Sequence, residues 1–203
     1  MSTKIIYPNV ILGKNCIIED FVIIGKPSSD EDEDLSTVIG DNAVIRSHTV
    51  IYAGNKIGHN FQTGHNVMIR ENNKIGNNVS VGTGSCIEHH IKIRDNVRIH
   101  SQVFIPEHTT LEEECWIGPN VVLTNARYPR SKNVKEKLKG PIISEKAKIG
   151  GNSTILPGIK VGKNSLVGAG SVVVKDIGDG KVVAGNPARV IKEIDDIQEY
   201  NQR

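Results

Sequence analysis

Every sixth residue of this chain is aliphatic over most of its length. Ile6, Leu12, Ile18 and Ile24 stand six apart. The grid resumes from Ile39 to Leu123, where 14 of 15 positions are Ile, Val or Leu and Thr63 is the exception. A third run comprises Ile143, Ile149, Ile155, Val161, Val167 and Val173. In all, 24 of 25 grid positions are aliphatic, whereas Ile, Val and Leu make up only 56 of the 203 residues. A helix would place apolar residues three and four apart, and an ordinary strand would alternate by two. A period of six suits a short flat strand followed by a sharp corner. The Gly and Asn of "IGDNAV", "IGHNFQ", "IGNNVS" and "IGPNVV" can take positive φ at such corners at little cost. Positions four after each aliphatic are often small or apolar (Ala43, Val67, Ser85, Cys115), which fits a narrow interior. Three edges close a triangular coil of 18 residues, and 25 slots make about eight coils stacked at roughly 4.8 Å. The fold expected is all-β, a parallel β-helix.

Composition agrees and excludes several functions. Aromatics are 4%, too few for a core of large rings, while Gly reaches 20. A formal net charge of +2 argues against bulk nucleic-acid or membrane-surface binding. Apolar runs are too short to span a bilayer, and Met1–Ile11 lacks a signal-peptide apolar region. Three cysteines without metal-like spacing read as reduced thiols of a cytoplasmic protein.

Two segments leave the grid. Residues 26–37 carry the acidic "SSDEDED", which reads as a solvated loop. Residues 126–142 are basic, with Arg127, Arg130, Lys132, Lys135, Lys137 and Lys139 against Glu136. The expected organisation is one domain over 1–190 and a tail over 191–203, in which "KEIDDIQEYNQR" forms a short amphipathic helix.

With 18 residues per coil, residues 18 apart stand over one another. Counting back from the break gives the column Asn125, Glu107, His89, Glu71, beside Ala126, His108, His90, Asn72. A His next to a carboxylate is fixed in one tautomer and made more basic, as a general base requires. A polar ladder on a solvated face is the alternative. The long loop departing from this column favours function, because long loops on rigid scaffolds often form sites.

The hexad pattern resembles the hexapeptide-repeat, left-handed parallel β-helix proteins over nearly the whole chain, and the handedness is what that resemblance implies. "IPEHTTLEEECWIGPNVVLTNARYPRS" is similar to a segment of nucleotide-sugar N-acyltransferases of this fold. Their usual form is Tyr-Glu-Gly, Phe-Ile-Gly-Pro, Phe-Thr-Asn-Asp and Tyr-Pro-Arg. This chain keeps Glu107, Gly118, Pro119, Thr124, Asn125, Tyr128, Pro129 and Arg130, and departs at Pro106, His108 and Ala126. The resemblance implies an acetyl-CoA-dependent N-acetyltransferase of a nucleotide-linked amino sugar, with Glu107, His89 and Asn125 catalytic. Thr124, His108, Tyr128 and Arg130 would meet the substrate. "GAGSVVVK" and "AGNPAR" resemble the end of coenzyme-A-using members, which implies cofactor contacts at Gly168, Ala169, Lys175 and Arg189. It further implies a homotrimer with sites between subunits.

Amide formation from a thioester needs a neutral amine, an oxyanion donor and a route for one proton. It requires no metal and no covalent Ser or Cys intermediate, so no metal is expected. One rival reading is a γ-type carbonic anhydrase, which shares this helix and uses three His on zinc. His90 and His108 stack, but their 18-spaced partners are Asn72 and Ala126. Another is a non-catalytic solenoid for assembly, which has no need of the "TNARYPR" loop.

Overall fold

The computed structural model describes residues 3–29 and 35–200, so the acidic run at 30–34 lies outside the described residues. The chain winds into a left-handed parallel β-helix of triangular section. Face 1 carries nine strands, from Ile5–Ile6 to Val172–Val173. Face 2 carries eight, from Val10–Leu12 to Lys160–Val161, and face 3 carries ten. Neighbouring coils pair in parallel with the 18-residue offset, as in Met68↔Cys86 and Ile69↔Ile87.

Each inner strand supplies one outward residue and one inward aliphatic. The grid positions from Ile24 to Val173 are at most 4% exposed. The third residue after most inward positions turns the corner with positive φ, and Asn is frequent there. Asn42, Asn60, Asn78 and Asn96 have φ of 61°, 57°, 56° and 60°. Their amides run up the edge between faces 2 and 3 at 3.1, 2.8 and 3.0 Å. The exception on the grid, Thr63, is also satisfied: its hydroxyl accepts the Arg46 N–H at 3.0 Å in place of a main-chain carbonyl.

The solenoid ends in a reversal. Lys181–Gly185 continues face 3 beside Leu166–Val167, and Ala188–Glu193 returns antiparallel to it. The expected domain limit at residue 190 therefore falls inside a strand. The tail takes two 3-10 turns, Ile194–Asp196 and Gln198–Tyr200, rather than one amphipathic helix. Ile194 is buried, and the Lys148 ammonium sits 4.8 Å from the Tyr200 ring centre.

Both excursions leave the edge between faces 1 and 2. The basic loop departs after Val122–Leu123, makes a 3-10 turn at Lys135–Lys137 and re-enters face 2 at Ile142–Ile143. Its base is pinned: Lys139 N–H donates to the Asn125 carbonyl at 2.9 Å, and Gly158 N–H to the Lys139 carbonyl at 2.8 Å. Gly140 then crosses the corner so closely that a Cβ would lie 2.4 Å from Thr109 N and 2.7 Å from the Glu107 carbonyl oxygen. A glycine is required there because backbone meets backbone.

Candidate active site

The corner between faces 1 and 2 is stiffened from inside. Buried Asn55 and Asn73 each donate to the Arg70 carbonyl at 2.8 Å. Asn55 Oδ1 accepts the Asn73 N–H at 3.1 Å, and Asn73 Oδ1 the Ile91 N–H at 2.8 Å. One coil on, the buried Thr109 hydroxyl donates to the Pro106 carbonyl at 2.7 Å. Side chains projecting from these corners are thus held by a fixed backbone.

His89 and Glu107 meet as the coil arithmetic predicts, with Nε2 2.8 Å from Oε1. The two side chains are 25% and 23% exposed, so the pair is sheltered yet reachable. Asn125 caps the other carboxylate oxygen more loosely, Nδ2 to Oε2 3.4 Å, and also approaches the Glu107 carbonyl at 3.5 Å. The His89 Nδ1 lies 2.8 Å from Nδ1 of His90. A carboxylate only accepts, so His89 Nε2 is the donor in its contact with Glu107; of the two facing Nδ1 atoms one donates and the other accepts. The His90 ring in turn lies 6.2 Å from that of His108.

The neighbouring rung is an ion-pair network. Arg70 forks onto Glu71 at 2.8 and 2.9 Å and reaches Glu88 at 3.4 Å. Its guanidinium also lies 5.4 Å from the centre of the Tyr52 ring. Burial works to raise the Glu71 carboxyl, but the Arg70 fork, a backbone N–H and nearby His89 outweigh it and leave it below its ordinary value. Cys86, beside Glu88 at 3.7 Å, is driven the opposite way. Burial and the Glu88 charge push its thiol up to about 11, so it is no ready nucleophile. Donor atoms of Glu88, His89 and Glu107 lie within 4.8 Å of one another, a spacing that a cation can bridge, although Arg70 already engages Glu88. That grouping contains one imidazole, not three.

The other expected residues are spread more widely. Thr124 is turned to the scaffold, its hydroxyl donating to the Ile155 carbonyl at 3.0 Å. Tyr128 is 71% exposed, and Arg130 is exposed with φ 62°. Lys175 occupies the same edge as Asn125, two coils further on by the register Val122↔Thr154 and Thr154↔Val172. Lys175 and Arg189 line one cavity of about 250 Å³ at the closed end. Gly168 and Ala169 sit on a different edge, between Leu166–Val167 of face 3 and Val172–Val173 of face 1. Sequence reasoning missed Arg70, Glu88 and the His89–His90 contact. Arg70 and Glu88 are 18 apart, so the same arithmetic applied one residue earlier finds them.

Residues 140–175 match the family described as bacterial transferase hexapeptide (six repeats). A galactoside O-acetyltransferase from Escherichia coli (strain K12) is 41% identical over 91 residues, which cover 43% of this chain and 45% of that protein. A 2,3,4,5-tetrahydropyridine-2,6-dicarboxylate N-acetyltransferase from Clostridium perfringens (strain SM101 / Type A) is 54% identical over 55 residues, 27% of this chain and 23% of that one. The chain spans less than half the length of these curated relatives. Among solved structures, the UDP-N-acetylglucosamine acyltransferase from Campylobacter jejuni superposes with a TM-score of 0.69 at 19% identity, covering 95% of this chain and 73% of that one. The enzyme of that name from Bacteroides fragilis 9343 gives 0.66 at 17%, covering 99% and 77%. At such identities the likeness concerns the fold. Residues 140–175 thus match the hexapeptide repeat of bacterial transferases, and they are one part of a left-handed parallel β-helix.

Proposed function

We propose that the protein is an acetyl-CoA-dependent N-acetyltransferase acting on the amino group of a nucleotide-linked amino sugar. The observation that carries this reading is the half-sheltered His89–Glu107 pair, capped by Asn125, at the point where a basic loop leaves the scaffold. Glu107 takes the amine proton, and His89 holds the carboxylate in place while sharing the positive charge that develops. Asn125 orients the amine or the thioester. The amine attacks the thioester carbon, a tetrahedral oxyanion forms, and its collapse expels the thiolate, which takes up the proton. Lys175 and Arg189 suit the phosphates of coenzyme A: two cations share one cavity on, or next to, the edge that carries the reactive pair. The relatives described above are acetyltransferases by name, which supports the acyl-transfer class.

The working form on this reading is a homotrimer in the cytoplasm. Face 1 presents an outward column of Met68, Phe104 and Val122, exposed by 36%, 37% and 38%, which a second copy can cover. Such packing brings the exposed Tyr128 and Arg130 of one copy within reach of a neighbour's site. Among the described residues no helix is long and apolar enough to cross a membrane.

The same dyad supports a second reading, O-acetylation, since a hydroxyl acceptor depends more on a base than an amine does. One matched relative is a galactoside O-acetyltransferase. The test for both is a panel of nucleotide-linked amino sugars, free amino sugars and galactosides offered with acetyl-CoA, read by mass spectrometry. Acetylation of the nucleotide-linked amines alone supports the first reading, and acetylation confined to hydroxyls supports the second. Metal analysis of the purified protein bears separately on the carbonic anhydrase alternative.

A further inference from the structure

The outward column of face 2 is a ladder of lysines. Lys56, Lys74 and Lys92 stand in direct register on successive strands, and all three are exposed. The column turns to Thr110 and Ile142 on the next two strands. Parallel strands lie about 4.8 Å apart, and like charges directly opposite each other are destabilising. Arg94 adds a fourth cation on the adjoining corner, and together they line a groove of about 530 Å³. Among the described residues, none of the four is in ion-pair contact with a carboxylate. Asp95 also lines the groove, but its carboxylate accepts the Asn77 N–H at 2.8 Å and the Asn77 amide at 3.3 Å. A stack of charges that opposes folding and has no carboxylate ion pair among the described residues fits a surface built for an anion from outside.

Its position narrows what that anion is. Lys74 follows Glu71 by three residues and Lys92 follows His89 by three, on the same coils. Three residues span at most about 11 Å, so the lysine stems and the reactive pair share one working surface. The ladder ends at Thr110, on the coil of Glu107. We propose that Lys74 and Lys92, with Arg94 beside them, form the diphosphate subsite of the nucleotide-linked substrate. This rests on the functional reading above and extends it. The sugar ring, joined to the terminal phosphate through its anomeric oxygen, bridges from Lys92 to the His89–Glu107 pair. Two ammonium groups one rung apart grip adjacent phosphates, whereas a single phosphate can engage only one rung fully.

The test is calorimetric titration of the full chain with inorganic pyrophosphate, with UDP, GDP and dTDP, and separately with coenzyme A. Lys74→Gln/Lys92→Gln should weaken pyrophosphate and the preferred nucleoside diphosphate by about tenfold or more per lysine, with affinity falling as salt rises. Coenzyme A binding should stay at the parent value, and Lys160→Gln, further along the same face, should be silent. Parent-like nucleoside diphosphate binding by the double variant overturns this subsite while leaving the substrate reading intact. If the parent binds coenzyme A but none of the nucleoside diphosphates, the substrate reading fails and the subsite with it. Loss of coenzyme A binding in the double variant assigns the ladder to that cofactor's phosphates and also overturns the proposal.

Discussion

His89 Nε2 and Glu107 Oε1 are 2.8 Å apart, although 18 residues separate them in the chain. The spacing is one turn of the coil, so the contact is made between rungs of a rigid stack rather than across a flexible cleft. Glu107→Ala should lower kcat by about 10²–10⁴, the range for losing a proton-transfer group. His89→Asn should shift the pH profile as well as the rate, because it removes the partner that fixes the carboxylate. Asn72→Gly, a neighbouring corner position with φ 60°, is the control and should change little. Steady-state kinetics across pH decide this, and full activity of Glu107→Ala at every pH removes the site.

Coenzyme A affinity should fall in Lys175→Ala and in Arg189→Ala, with unfolding unchanged, since both side chains line an end cavity outside the core. Titration of each variant reads the effect. If both bind like the parent, the phosphates lie elsewhere.

The Glu71 carboxyl, held below its ordinary value of 4.5, should make the scaffold acid-sensitive. A lowered folded-state value means that the unfolded chain takes up the proton first as pH falls. The stability that Glu71 contributes is therefore complete above that ordinary value and is lost as pH drops through the folded one. Glu71→Gln should lose roughly 1–3 kcal/mol at neutral pH, with curves converging in acid. Urea unfolding at a series of pH values checks the convergence; parallel curves would mean that Glu71 is not the group responsible.

Ile105 is fully buried at the coil centre beside the site. Ile105→Ala should cost about 2–5 kcal/mol, because neighbouring rungs are tied by backbone ladders and cannot collapse into the space. Chemical denaturation measures it directly.

Sedimentation should give three times the chain mass, and Phe104→Glu on the outward column of face 1 should dissociate it. A monomeric parent at micromolar concentration counts against the homotrimer, and an intact trimer in the variant moves the interface to another face.

How far the sequence could be read follows from which features obey the coil period. The inward grid, the corners and the Glu71–His89–Glu107–Asn125 column follow the coil period; the column and the grid from Ile24 on appear at the expected places, whereas Ile6 on the first coil is 42% exposed. The Arg70 fork onto Glu71 and the His89–His90 contact depend on rotamers of adjacent side chains, which spacing does not encode. Resemblance groups Gly168 and Ala169 with Lys175 and Arg189, whereas counting residues puts them on another edge. The tail misled because Ile191, Ile194 and Ile197 fit helical spacing. In the fold, Ile191 falls at the bulge of the strand Ala188–Glu193, without a register partner on Lys181–Gly185, and Ile194 turns inward under Gly180, whose carbonyl accepts its N–H at 2.7 Å.

The antiparallel return of Ala188–Glu193 has a consequence for assembly. A stack of parallel rungs is in principle endless, since each coil offers the next chain the same template, and end-to-end docking of such stacks would grow a fibre. By reversing direction on face 3, the final strand presents a backbone polarity that no incoming parallel coil can match. Its exposed Arg189 and Lys192 add charge at that rim. Among the described residues, the hairpin thus closes face 3 at this end to further parallel pairing.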